Sequence, residues 1–114
     1  MRNLAEEVLA PQTKRILFAC RDAIRANYPT ARIVLYGSQA RGQAGPESDV
    51  DLLVLLDEVT AAKKRAIRDT LYEVGLAEDS VISAIVRSYQ AWNSSISQAT
   101  SLYRVIQQEG IQVA

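Results

Sequence analysis

The sequence predicts an α+β fold in which helices pack on a small β-sheet. Apolar residues recur at helical spacing in four stretches, and three short apolar runs rich in β-branched residues lie among them. The chain has 114 residues, 48% of them hydrophobic and 23% charged, which is typical of a folded globular protein with one core. We therefore expect a single domain over residues 1–114, with an N-terminal helical segment at 1–30 and a core at 31–111.

The first two helices are predicted from their end signals as well as from their apolar spacing. Pro11 suits the first turn of a helix, because its fixed φ is helical and its missing N–H is not needed there. We expect this helix to run to about Asn27. Thr60 is expected to cap the second helix with its hydroxyl, and Gly75 is expected to end it.

Two further helices are predicted closer to the C-terminus. Ser88 is expected to cap a helix that carries Tyr89, Trp92 and Ile96 on one side. The last helix is expected to end at Gly110.

Three segments are predicted to be buried β-strands, because they are short, apolar and bounded by turn residues. They are Arg32–Tyr36, Asp49–Leu56 and Val81–Arg87. Together they predict a sheet of three strands or slightly more, with the helices packed on it.

The composition excludes several kinds of catalytic site. The chain contains no histidine, so neither Ser-His-Asp or Cys-His catalysis nor a His-ligated metal is available. Its one cysteine, Cys20, excludes an internal disulfide and a Cys-based zinc cage, and we expect it to be buried and inert. Chemistry must therefore use carboxylates, hydroxyls, Arg, Lys and backbone amides.

Charge and hydropathy argue against membrane or nucleic-acid binding. The chain carries 13 Lys plus Arg and 13 Asp plus Glu, so it has no general electrostatic attraction for either surface. A basic cluster at 63–68 is flanked by Asp57, Glu58 and Asp69 and favours a solvated helix face over a nucleic-acid patch. No apolar stretch approaches the ~20 residues that span a bilayer, and the N-terminus lacks the apolar run of a signal peptide. We expect a cytoplasmic protein.

The segment after the first predicted strand has features of a phosphate-binding turn. Gly37 ends the strand and lets the backbone approach a ligand closely. Ser38 is expected to cap a short helical turn while its hydroxyl stays available, and the N–H groups of that turn favour an anion. Two roles are open for Arg41: it could bind phosphates, or it could pair with Glu47 and hold the loop.

Two carboxylates open the second predicted strand. Asp49 and Asp51 stand at i and i+2, so they project from the same side of the strand. Two acids this close repel each other, and a divalent cation resolves the conflict. Magnesium prefers such oxygen ligands together with water and substrate phosphates, and one or two ions are compatible with the pair. Taken alone, each half of the segment is more often a turn or a solvated acid pair, but both halves lie within residues 37–52.

This combination resembles a known family signature. Gly-Ser-x-Ala-Arg-Gly, five residues, then Ser-Asp-x-Asp-Leu is similar to the signature of the DNA polymerase β nucleotidyltransferase superfamily, above all to its minimal nucleotidyltransferases. The closing segment, 102–110, also resembles the C-terminal end of those domains, so the resemblance runs from about Ile33 to Ile111. It implies a polymerase β palm-like fold, a small mixed β-sheet with flanking helices.

The resemblance also implies a site. It places Asp49 and Asp51 as Mg²⁺ ligands at the catalytic centre, with an NTP, commonly ATP, as donor. The residues implied to contact the nucleotide are Gly37, Ser38, Arg41 and Ser48.

One residue departs from the family pattern. Active members usually carry a third carboxylate on a later strand, and Ser83 occupies the equivalent place here. A neutral hydroxyl is a poor base and a poor ligand for a hard metal. Asp79 shares strand parity with Ser83 and would face the site if the strand began early, but a solvated turn is favoured for Asp79.

Two functions therefore remain open. The first is a Mg²⁺-dependent enzyme that transfers an NMP, by resemblance AMP from ATP, to a hydroxyl such as a tyrosine on a helical HEPN-type partner, as in toxin–antitoxin pairs. The second is a nucleotide-binding antitoxin that covers its partner and transfers little or nothing. In a third hypothesis a second protomer or a partner supplies the absent acid, so homo-oligomers and hetero-oligomers are both compatible with the sequence.

Overall fold

The computed structural model describes residues 1–7, 9–43 and 49–114. Its strands are β1 (Arg2–Asn3), β2 (Arg32–Tyr36), β3 (Val50–Leu56), β4 (Ile82–Ser88) and β5 (Ile111–Gln112). Its helices are α1 (Pro11–Arg25), α2 (Ser38–Arg41), α3 (Ala61–Glu78), α4 (Tyr89–Trp92), α5 (Ser95–Gln98) and α6 (Ser101–Glu109), and a 3₁₀ turn covers Leu4–Glu6.

The strands form one mixed sheet in the order β1-β5-β2-β3-β4. Strands β2 and β3 are antiparallel, β3 and β4 are parallel, β5 is antiparallel to β2, and β1 is parallel to β5. The three longer strands confirm the sequence prediction, and the fold is the predicted α+β arrangement of helices on a mixed sheet. The two short strands β1 and β5 were not predicted, because two residues are too few to show an alternating pattern.

The start of the chain corrects one prediction. Residues 1–30 were expected to be a helical segment, but Arg2–Asn3 pairs with Ile111–Gln112 before α1 begins. The N-terminus and the C-terminus are therefore neighbours at one edge of the sheet.

The central strands β2 and β3 are buried on both faces, which explains their nearly continuous apolar sequence. On one face, Ile33, Leu35, Leu52 and Val54 form a core with α1 and α3. That core includes the buried helix residues Ile16, Leu17, Cys20, Ile24, Ile67 and Leu71.

A smaller core covers the opposite face. Val34, Leu53 and Leu55 point to the other side of the sheet, where Trp92 of α4 and Ile106 of α6 pack on them. Trp92 is only 5% exposed, so it belongs to the protein interior.

The signals that begin the helices are largely confirmed. Helix α1 begins at Pro11, and Thr60 caps α3 by accepting a bond from the Lys63 N–H at 3.1 Å. The prediction that Gly75 ends α3 is wrong, since the helix continues to Glu78. A Cβ at Gly75 would lie 2.5 Å from the carbonyl oxygen of Ser80. The absence of a side chain at Gly75 therefore leaves room for the backbone as it turns back towards β4.

The helix predicted after Ser88 is divided in two. Ser88 does cap α4, through the Ala91 N–H at 3.0 Å, but α4 ends at Trp92. Ser94 then caps a separate helix, α5, and leaves Ile96 82% exposed instead of aligned with Trp92. A second capping residue so soon after the first interrupts the helix. The last helix ends before Gly110, as predicted.

The described residues include no helix with both the length and the hydropathy needed to cross a bilayer.

Candidate active site

A row of three polar residues crosses the sheet where β2 ends and β4 begins. The strand register pairs Tyr36 with Asp51 and Asp51 with Ser83. Paired residues on neighbouring strands project to the same side, so the three side chains share one face. It is the face of the sheet on which Leu53 and Trp92 form the smaller core. The three polar residues lie on this face, next to its apolar part. Asp51 is half-buried and Ser83 is exposed.

The turn after β2 brings a glycine backbone against this row. Gly37 has φ +79° and ψ −158°, a conformation that side chains rarely adopt. A Cβ at Gly37 would lie 2.5 Å from Oδ2 of Asp51, so only a glycine lets the backbone pass this close. The two halves of the sequence signature are therefore in direct contact through Gly37 and Asp51.

The structure corrects the role predicted for Ser38. This residue is already the first residue of α2, and Gly37 is the N-cap, which has no side chain to form a capping bond. The serine was expected to cap because serine is a favoured N-cap residue, but here glycine alone fits the N-cap conformation. Helix α2 then ends after a single turn at Gly42, whose φ of +71° is left-handed.

The two aspartates occupy different environments. Asp49 is exposed and precedes β3, which begins one residue later than predicted, whereas Asp51 lies within the strand. Burial raises the pKa of Asp51 above its usual range, the negative charge of Asp49 raises it further, and the positive charge of Arg41 opposes both effects. These three charged groups therefore act on one another. Ser48, which was expected at the nucleotide, lies outside the described residues.

The same site includes a half-buried tyrosine. Burial and the charge of Asp51 together raise the pKa of Tyr36 above its usual value. The side chain packs on the smaller core, beneath α4 and α6.

The residues present fit a magnesium ion that is only partly ligated by protein. Oδ2 of Asp51 stands against the Gly37 backbone and feels the repulsion of Asp49, an arrangement that a hard cation would relieve. Over residues 1–7, 9–43 and 49–114, no group of three or more Asp, Glu, Cys or His side chains is arranged to hold a metal. Magnesium in proteins usually completes its ligands with water and the phosphates of a substrate.

Ser83 stands directly opposite Asp51 on the neighbouring parallel strand. This is the place at which the family resemblance implies a third acid. The alternative residue, Asp79, does not reach it. Asp79 is the exposed, left-handed C-cap of α3 with φ 52°, and β4 begins only at Ile82. The turn interpretation of Asp79 is therefore confirmed.

Arg41 is held by a residue that the sequence analysis missed. Its Nη1 lies 3.0 Å from Oε1 of Glu109, at the end of α6, and its Nε donates to Gln43 at 3.0 Å. The same Glu109 oxygen accepts a bond from the Gly37 N–H at 3.2 Å. Glu109 had no local signal, because its partners are 68 and 72 residues away in the chain. The pairing once considered for Arg41, with Glu47, lies outside the described residues.

Fold and sequence together define the class of protein. Residues 19–111, well over half of the chain, match the family model described as a nucleotidyltransferase domain. The chain therefore belongs to the nucleotidyltransferase domain family.

The name of one curated relative is more specific than the name of the family. Over 56 residues the chain is 41% identical to "Putative protein adenylyltransferase MJ0141" of Methanocaldococcus jannaschii. The matched segment is 48% of this chain and 57% of that relative, so the chain covers little more than half of the relative's length.

Solved structures share the fold. A toxin–antitoxin crystal structure with AMP-PNP matches with a TM-score of 0.61 and 21% identity, over 92% of this chain and 73% of the other. A complex of tri-AMPylated Shewanella oneidensis HEPN toxin with MNT antitoxin matches with a TM-score of 0.58 and 19% identity, over 90% and 71% of the two chains. At these identities the likeness establishes the fold.

Proposed function

We propose that this chain is a Mg²⁺-dependent nucleotidyltransferase that moves AMP from ATP to a hydroxyl of a helical HEPN-type protein partner. The observation that supports it most is the contact between the Gly37 backbone and the Asp51 carboxylate. That contact joins a glycine turn suited to phosphates with a carboxylate suited to magnesium.

Each residue has a defined task in this proposal. Asp49 and Asp51 hold magnesium, which when bound neutralises charge on the triphosphate and on the departing pyrophosphate. Gly37 and Ser38 receive the β and γ phosphates, and Ser48 contacts the nucleotide beside them. Arg41 supplies charge-assisted bonds to the same phosphates.

The transfer itself is a substitution at the α phosphorus of ATP. The acceptor oxygen forms a bond to that phosphorus, the bond to the bridging oxygen breaks, and pyrophosphate leaves with the electron pair. The acceptor hydroxyl also loses its proton, which passes to solvent water because Ser83 is a poor base for this step. Because a general base typically contributes about 10²–10⁴-fold, we expect transfer to be slow.

The comparisons support the nature of the acceptor. One relative is named as a protein adenylyltransferase, and one structural match contains an AMPylated HEPN toxin with an MNT antitoxin. A macromolecular acceptor also agrees with the fold, because the described residues include no large second lobe to recognise a small one.

The proposal is tested by incubating the protein with labelled ATP, Mg²⁺ and the helical protein encoded by the adjacent gene. We expect a covalent AMP adduct on that partner, and we expect Asp49→Asn and Asp51→Asn to abolish it. Asp57→Asn is a matched control, since Asp57 follows the far end of the same strand and bonds to Thr30 at 2.7 Å. An adduct of equal yield with Asp51→Asn would refute the proposal.

A second candidate function is favoured by the neutral Ser83 opposite Asp51. In this alternative the chain binds nucleotide and covers its partner without transferring AMP. Tight binding of both ATP and partner, with no adduct under any condition, would favour this function over the first.

A further inference from the structure

Gly37 and helix α2 form the turn proposed to receive the nucleotide, which we call the nucleotide turn. Hydrogen bonds connect this turn to Glu109, the last residue of α6. One carboxylate oxygen of Glu109 accepts a bond from the Gly37 N–H at 3.2 Å and another from Arg41 Nη1 at 3.0 Å. Gly37 and Arg41 are the N-cap and the last residue of α2, so this one oxygen contacts both ends of that single turn.

Glu109 is the fixed partner in this arrangement. Its side chain is 19% exposed, and its backbone carbonyl accepts a bond from Arg2 Nη2 at 2.7 Å. The next residue, Gly110, is also held, because its N–H donates to Ile106 at 2.8 Å and its carbonyl accepts from the Arg2 N–H at 3.2 Å. Arg41, at 43% exposed, has more freedom. The carboxylate therefore restrains the guanidinium, and not the reverse.

Arg2 strengthens the same connection through the backbone. Its Nη2 also donates to the carbonyl of Ala40 at 2.6 Å, within α2. One guanidinium nitrogen thus joins the nucleotide turn to the end of α6, independently of the pair formed by Glu109 and Arg41. A positive charge at the C-terminal ends of two helices is also electrostatically favourable.

We propose that Glu109 is a positioning residue that holds Arg41 and the Gly37 N–H in the arrangement that receives the triphosphate. The inference deepens the proposed function and rests on it. Gly37 shares the Glu109 oxygen with Arg41 and contacts the Asp51 carboxylate, so the restrained pair lies beside the candidate metal site. A restrained arginine loses less rotamer freedom when a phosphate binds, and this raises affinity.

If Glu109 had the opposite role, its removal would change the affinity for nucleotide in the opposite direction. A carboxylate that merely occupied donors meant for phosphate would compete with ATP, and its removal would tighten binding. Competition requires the carboxylate to withdraw, whereas the Glu109 side chain is only 19% exposed and its backbone carbonyl is held by Arg2. The positioning role therefore predicts weaker binding when the charge is removed.

The test is a double-mutant cycle on the full chain with Mg²⁺ and AMP-PNP as the probe. Glu109→Gln keeps an oxygen for the Gly37 N–H but loses the charge that holds Arg41. We expect its dissociation constant to rise roughly three- to tenfold. In an Arg41→Gln background the same substitution should change affinity less than twofold, because there is no guanidinium left to hold. Glu78→Gln is the matched control, since Glu78 pairs with Arg15 at 2.9 Å and is equally shielded, at 20% exposed.

The outcomes separate the two proposals. If the wild-type chain does not bind Mg²⁺–AMP-PNP, the proposed function fails. If wild-type binding is lost in Asp51→Asn while Glu109→Gln binds as well as or better than wild type, only the positioning role is overturned. An equal loss in both Arg41 backgrounds would also overturn it. Should Glu109→Gln not fold, Glu109→Asp keeps the charge but withdraws it by one methylene, and the same non-additivity with Arg41→Gln is expected.

Discussion

The backbone of Gly37 and the carboxylate of Asp51 are in contact, with the Cβ position of residue 37 only 2.5 Å from Oδ2. The two residues come from opposite halves of the sequence signature: Gly37 directly follows β2, and Asp51 lies in the neighbouring antiparallel strand β3. Any side chain at residue 37 must therefore displace either the turn or the acid.

Gly37→Ala is expected to abolish Mg²⁺-dependent nucleotide binding and to lower the free energy of unfolding by about 1–2 kcal/mol or more, since φ is +79°. Gly42→Ala is the matched control. It also has a positive φ, +71°, but with a ψ of 20° it lies in the left-handed helical region, which strains a side chain less, and its Cβ would meet nothing within 4 Å. Urea unfolding and calorimetric titration of both variants measure the two effects. If Gly42→Ala impaired nucleotide binding as severely, the contact with Asp51 would not be the cause.

Ser83→Asp is expected to increase AMP transfer at least about tenfold, part of the 10²–10⁴-fold that a positioned base contributes. Ser83 pairs with Asp51, and neighbouring strands lie roughly 4.8 Å apart, so the new acid would face the existing one. Without Mg²⁺ the added repulsion should lower the melting temperature, and Mg²⁺ should restore it. Ser83→Asn is the uncharged control. A transfer rate equal to wild type in Ser83→Asp would show that the missing acid is not what limits the reaction.

Features of the fold that depend on neighbouring residues were predicted from the sequence, whereas features that depend on contacts between distant residues were not. Pro11 and Thr60 were recognised as helix starts because capping chemistry resides in the residue itself. The family resemblance put Ser83 in the place of the third acid, and the register pairs it with Asp51. Gly75 was misread because its close neighbour, the carbonyl of Ser80, appears only when the chain folds back.

The same reasoning explains what was missed at the site. The bonds of Glu109 cross 68 and 72 residues, so no spacing rule could reveal them. Arg2 likewise acts through a two-residue strand at the edge of the sheet. The catalytic and metal-binding roles of Asp49 and Asp51 stay predictions.

Trp92→Ala is expected to lower the free energy of unfolding by about 3–5 kcal/mol, because Trp92 is buried and its ring packs 5.0 Å from the ring of Tyr103. Ile96→Ala, one helix further on, should cost no more than about 0.5 kcal/mol, because Ile96 is almost fully exposed. Chemical denaturation gives both values. Comparable losses would mean that Ile96 shares the core with Trp92, as the sequence pattern first suggested.

Burial raises the pKa of the Cys20 thiol to about 12, from an ordinary value of 9.0. The contribution of the neutral thiol to the free energy of unfolding is fully present below pH 9 and is lost as pH rises towards 12. In that window the unfolded chain releases a proton that the folded chain keeps. At about pH 10 this loss is roughly 1.4 kcal/mol. Urea unfolding near pH 8 and pH 10 should show a smaller alkaline loss for Cys20→Ala than for wild type. Identical losses would place the thiol in an environment no different from water.

The central claim is that the acid pair and the glycine turn form one site for a magnesium–triphosphate. Isothermal titration of the wild-type chain with AMP-PNP tests it most directly, with Mg²⁺, with EDTA, and with Asp51→Asn in place of wild type. We expect saturable binding with Mg²⁺ that disappears with EDTA and in the variant. Binding that persists with EDTA, or that Asp51→Asn leaves intact, would contradict the account.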